Sequence, residues 1–139
     1  MRSKLVVLVT VALLVIPSAV ALGDDSNPFK GSWVGIDVID GSRNMLIVGG
    51  GNNHVVYRES GLSACIGPFD GQFVGGSVAG FATIAGDELT FTGTLYCNLE
   101  EGRTAHPGFH DFDWVVVYDS LTDTVSLELD TTVLSRPGG

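Results

Sequence analysis

Two segments of the chain alternate apolar and polar residues with a period of two. Over residues 89–97, Leu89, Phe91, Gly93, Leu95 and Cys97 fall on one face and Thr90, Thr92, Thr94 and Tyr96 on the other. Over residues 125–129, Val125, Leu127 and Leu129 oppose Ser126 and Glu128, and Asp130 continues the polar face. Successive side chains of a strand point to opposite sides, so this pattern predicts antiparallel strands wetted on one face. Other short runs rich in β-branched and aromatic residues read as strands as well: 33–39, 45–48, 55–59, 62–66, 73–84, 112–118 and 132–134. Nothing beyond residue 21 reads as a long helix.

The connections are short and built from turn formers. Asp40-Gly41-Ser42, the glycine-asparagine stretch 49–53, Gly86-Asp87 and residues 120–123 read as hairpin turns, with glycine and asparagine supplying positive φ. Gly75, Gly76 and Gly80 within 73–84 predict a bulge or sharp bend. The one long connection is 98–110, with Glu100-Glu101-Gly102 and His106-Pro107-Gly108. Long loops on a compact scaffold are where function tends to reside. About eight or nine strands joined mainly by hairpins predict an all-β antiparallel meander. An up-and-down barrel is preferred to a two-sheet sandwich, because consecutive hairpins close it without Greek-key crossings.

The N-terminus assigns a compartment. Arg2 and Lys4 precede an apolar run over 5–16, broken by Pro17 and Ser18 before the small-x-small site Ala19-Val20-Ala21. This is the pattern of a secretory signal peptide, 1–21, too short to favour a membrane span. Residues 22–30 then read as a disordered acidic leader, 31–136 as a single barrel domain, and 137–139 as a frayed end. The expected location is secreted or extracytoplasmic, with no membrane span after cleavage.

Charge narrows the partners. Without Arg2 and Lys4, 5 basic residues face 16 acidic ones, a net charge of −11. Such a surface repels phosphate backbones, which argues against nucleic-acid binding. The two cysteines, Cys65 and Cys97, form an even pair behind an export signal and are expected to be disulfide-bonded. They are too few to hold zinc at a familiar spacing.

Gly31-Ser32-Trp33, at the start of the first strand, resembles the opening of the calycins, the lipocalin and avidin type of secreted barrel. The run from Gly31 through Asp40-Gly41-Ser42 to Gly49 also resembles the first hairpin of avidin-type proteins. The resemblance implies a barrel, and it implies that a late basic residue, here Arg136, packs across Trp33. A Gly-x-Trp, an Asp-Gly-Ser and a glycine-rich second turn likewise resemble small exported bacterial β-proteins.

No catalytic constellation stands out. Gly75-Gly76-Ser77-Val78-Ala79 and Gly61-Leu62-Ser63-Ala64-Cys65 both lack the final glycine of a nucleophile elbow and precede no helix. The triple glycine 49–51 lacks the Lys-Ser/Thr of a phosphate loop. His106, His110, Asp111 and Asp113 form the densest group of potential metal ligands, though mixed imidazoles and carboxylates select no single metal. Asp37 interrupts an apolar run on the face shared by Trp33 and Gly35; inside a barrel it is a polar group needing a partner, and facing water, the preferred reading, it is an ordinary surface residue. Trp33, Tyr57, Phe91, Trp114 and Tyr118 lie on different strands and can converge inside, where core filling is preferred to the lining of a pocket.

The expected function is therefore a secreted, non-enzymatic barrel, without a cofactor, that binds a small apolar ligand or a macromolecular surface partner. Trp33, Asp37, Tyr57 and Trp114 are its candidate ligand contacts. A hydrolase or metal-binding protein centred on residues 106–113 is one alternative, and a structural or adhesive surface module another.

Overall fold

A computed structural model describes residues 27–49, 52–68, 70–130 and 132–138. The expected signal peptide, the leader residues 22–26 and the middle of the glycine-rich turn (Gly50, Gly51) lie outside the described residues. The chain forms β1 (Gly31–Ile36), β2 (Arg43–Gly49), β3 (His54–Ile66), β4 (Phe73–Ala85), β5 (Glu88–Gly93), β6 (Tyr96–Leu99), β7 (Gly102–Ala105), β8 (Phe112–Asp119), β9 (Thr124–Leu127) and β10 (Val133–Ser135). Every pairing is antiparallel. Strands β1, β2, β3, β4, β5, β8, β9 and β10 pair in that order, and β10 returns to β1. The result is a closed eight-stranded up-and-down barrel, with the β6–β7 hairpin beside β4 as an extension.

Alternation decides the inside. Trp33, Leu46, Val48, Val55, Tyr57, Val78, Leu89, Phe91, Trp114, Val116, Val125, Leu127 and Leu134 are all buried, each on the inward phase of its strand. One end is sealed: Phe29 lies beneath the barrel, its carbonyl accepting the Trp33 indole N–H at 2.7 Å. Tyr118 meets both Phe29 and Trp33 edge-on. Arg136 lies across the Trp33 ring, 4.0 Å from its centroid.

Close backbone approach shapes the wall. A Cβ on Gly80 would collide with the Thr92 carbonyl oxygen, and one on Gly93 would stand 2.7 Å from the Ala79 carbonyl oxygen. Here β4 changes neighbour, from β6 at Gly76 and Ser77 to β5 from Phe81 onward. Cys65 and Cys97 are disulfide-bonded, tying the end of β3 to β6. No helix among the described residues is long and apolar enough to cross a membrane.

Several strand boundaries differ from the sequence expectation, each for a local reason. The predicted strand 33–39 stops at Ile36, because Gly41 N–H donates to the Asp37 carbonyl and closes a turn. The runs 55–59 and 62–66 form one strand, β3, with register shifts between Glu59 and Leu62 and between Leu62 and Ile66. The run 89–97 divides in two, because Leu95 exchanges backbone bonds with Phe109 and His106 of the following loop. Part of the long connection is itself a strand, β7. β9 ends at Leu127, and the turn beyond it leaves Leu129 exposed where continued alternation would have buried it.

Candidate functional site

The barrel end opposite Trp33 is open. It holds a cavity of about 330 Å³ whose apolar wall includes Tyr57, Leu62, Leu95, Phe109, Trp114 and Leu127. Its polar residues are Asp37, Asp40, Glu59, Ser63 and Asp130, and no basic residue lines it. Phe109 enters from the loop between β7 and β8, held by its carbonyl accepting from Leu95 N–H at 3.0 Å. Its ring stacks on Trp114 with centroids 5.7 Å apart, and Tyr57 and Phe91 lie beside the same indole at 6.4 Å.

A buried polar network crosses the floor. Glu59 follows Val55 and Tyr57 on the inward phase of β3, so alternation carries a carboxyl into the interior. The Tyr57 hydroxyl lies 3.0 Å from Glu59 Oε2 and 3.1 Å from Asp130 Oδ2. Ser42 Oγ donates to Glu59 Oε1 at 3.1 Å, and Asn44 Nδ2 to Asp130 Oδ2 at 2.9 Å. A phenol carries one proton, which here is shared between the two carboxyl oxygens that flank it.

Glu59 is the more deeply buried of the two carboxyls. Burial pushes its carboxyl above the usual range, against the opposing effect of hydrogen bonds from Tyr57 and Ser42. The Tyr57 phenol is held strongly protonated by burial and by the two adjacent carboxylates. At the rim the sign reverses: the Ser42 backbone N–H holds the Asp40 carboxyl below its ordinary value. Two buried oxygens in this region, Asn44 Oδ1 and Thr132 Oγ1, have no protein partner.

The expected ligand contacts divide between the two ends. Tyr57, Trp114 and Asp37 line the cavity. Trp33 does not: it is fully buried at the sealed end, where it fills the base of the core. Asp37, half-buried at the rim, uses Oδ1 to accept the Ile39 N–H at 2.7 Å.

The expected metal ligands do not meet at a common point. His106 Nδ1 accepts the Gly108 N–H at 3.1 Å within its own turn, and Asp113, facing outward, bonds Thr92 Oγ1. Among the described residues, the one group of three ligand-bearing side chains within 4.8 Å of one another is Asp37, Asp40 and Glu59. Its all-oxygen donor set has the character of a hard-cation site. Both aspartates already spend one oxygen capping the β1–β2 turn, on Ile39 and Ser42 N–H respectively.

Glu59, Phe109 and Asp130 were not among the sequence candidates. The signal for Glu59 was present in the phase of Val55, Tyr57 and Glu59. Asp130 carried none, because alternation from Val125 assigns it outward and only the turn after Leu127 brings it in. Phe109 reaches the cavity through a loop, where periodicity has no meaning. No protein-family model matches the chain, and neither a curated protein nor a solved structure shows significant similarity to it.

Proposed function

We propose that this protein is a secreted, non-enzymatic barrel that binds a small, largely apolar molecule bearing an amine or other cationic group. One observation carries the reading: the open end of the barrel is an aromatic-walled cavity with carboxyl groups at its floor and rim and no basic side chain. Small-molecule sites combine apolar walls with a few convergent polar groups. Aromatic faces and carboxylates together favour an organic cation over a neutral or anionic ligand. The export-like N-terminus and the calycin-like opening support the same reading.

The test is a thermal-shift and calorimetric screen of amines with aromatic or aliphatic tails against matched carboxylic acids and alcohols. Amines should stabilise the fold, by about 2.7 kcal/mol at a hundredfold excess over the dissociation constant. Trp114→Ala and Asp130→Asn should weaken binding. Absence of stabilisation by any amine, or equal stabilisation by the matched acids, would overturn the proposal.

A further inference from the structure

The outer wall carries a second feature, unrelated to the cavity. Val34, Met45, Arg58, Ser77, Tyr96 and Ala105 are directly opposed residues on six consecutive strands, β1, β2, β3, β4, β6 and β7. Directly opposed residues share a face, and Arg58 is exposed, so this row looks outward. A groove of about 1020 Å³ runs along Val34, Met45, Arg58 and Ser77 of this row and is bounded on the β6–β7 side by Asn98 and Arg103.

Three arginines converge there. Arg58 stands opposite Ser77, and Arg103 donates to the same Ser77 Oγ at 2.8 Å while its guanidinium lies 4.4 Å from the Tyr96 ring centroid. Arg43 precedes Met45, the partner of Arg58, by two positions, which makes it a diagonal neighbour. None of the three has a carboxylate within ion-pair distance among the described residues, where the ion pair is Arg136 with Asp123. The one acidic residue lining the groove, Glu59, turns its carboxyl inward to Ser42 and Tyr57. Three of the five basic residues beyond residue 21, in a chain with 16 acidic ones, thus occupy one groove.

The surroundings select the occupant. Val34, Met45, Val56 and Ala79 line the same groove, so a ligand there meets apolar surface as well as charge. A long polyanion would run off the arginines onto an acidic exterior and be repelled. A second copy placed symmetrically on this face would set arginine against arginine. A short segment with a few carboxylates and intervening apolar side chains matches both halves. Arginine's planar fork receives carboxylates in bidentate fashion, and stacking on Tyr96 with the Ser77 bond holds Arg103 ready to do so.

We infer that this groove is a docking site for a short acidic polypeptide segment with interspersed apolar residues, its carboxylates received by Arg43, Arg58 and Arg103. The test is fluorescence anisotropy with labelled twelve-residue probes: alternating Glu and Val, alternating Lys and Val, and alternating Glu and Ser. The Glu-Val probe should bind, weaken with salt, and exceed the other two. Arg58→Glu and Arg103→Glu should each reduce its affinity by about tenfold or more. Arg58→Lys, which keeps charge but not the fork, should fall between, and thermal melts of each variant check the fold. Failure of the Glu-Val probe to bind, insensitivity to both charge reversals, or equal binding of Glu-Ser or of a sulfated polysaccharide would overturn the inference.

Discussion

Arg136 and Trp33 stand at opposite ends of the described barrel sequence, yet the guanidinium lies 4.0 Å from the centroid of the indole ring. The same guanidinium donates to the carbonyls of Lys30 at 3.0 Å and Pro28 at 2.8 Å, and pairs with Asp123 at 3.2 Å. One side chain therefore fastens the entry to β1, the exit of β10 and the β8–β9 turn. The Arg136→Ala variant should lose about 1–2 kcal/mol, because the contacts are charge-assisted but partly exposed. Lysine should recover little, since one ammonium cannot span these partners and a ring face together. Urea denaturation of both variants measures the difference.

The raised carboxyl of Glu59 makes stability depend on pH in a defined direction. Its folded pKa lies above the unfolded value, so its contribution is complete below the unfolded carboxylate range and is lost as pH rises through the folded value. Glu59→Gln keeps the shape and cannot ionise. That variant should lack the decline in stability on the neutral side of the carboxylate range. The loss at lower pH should remain in both proteins, because it comes from carboxyls held below their ordinary values, such as Asp40 and Asp119. Denaturation midpoints from pH 3 to 9 compare the two curves, and identical slopes near neutrality would sink the assignment.

The Cys65–Cys97 bridge spans a separation of 32 residues. In the chain-entropy account, its loss destabilises the fold by about 3–4 kcal/mol. Cys65→Ser with Cys97→Ser should lower the denaturation midpoint accordingly. Because the bridge ties the end of β3 to β6, hydrogen exchange should accelerate first around residues 62–66 and 96–99.

Gly80 is a position where a single methyl group should cost much. Backbone atoms of Thr92, not flexible side-chain ends, occupy the space that its Cβ would need. Gly80→Ala should destabilise by about 1–3 kcal/mol, through forced displacement of β5 from β4. At Gly49 a Cβ meets nothing within 4 Å, so Gly49→Ala should cost less. Parallel thermal melts separate the two.

The all-β class was legible because alternation and turn chemistry act locally. Thr90 to Tyr96 expose the polar phase and Leu89 to Cys97 the apolar one, whatever the barrel does beyond them. The site was legible only in part. Tyr57, Trp114 and Asp37 follow from residue type and phase. Asp130 does not, because a single turn after Leu127 reverses the phase on which any reading of that stretch depends. The metal expectation at residues 106–113 failed on geometry: nearness in sequence left His106 bound into its own turn and Asp113 facing outward.

By itself, the sequence determined which face of most strands is apolar, where the hairpins turn, and that two cysteines are available to pair. These are properties of a few consecutive residues. The sequence placed a bulge in the glycine-rich run 73–84, whereas the extra residues lie opposite it, in β3. Only the tertiary structure decided that the barrel is sealed at Trp33 and open at Glu59, since sealing depends on what Phe29 and Arg136 reach across the chain. Likewise, only strand register could bring Arg43, Arg58 and Arg103 together on one outer face. Register is set by pairing between distant segments, and no local pattern contains it.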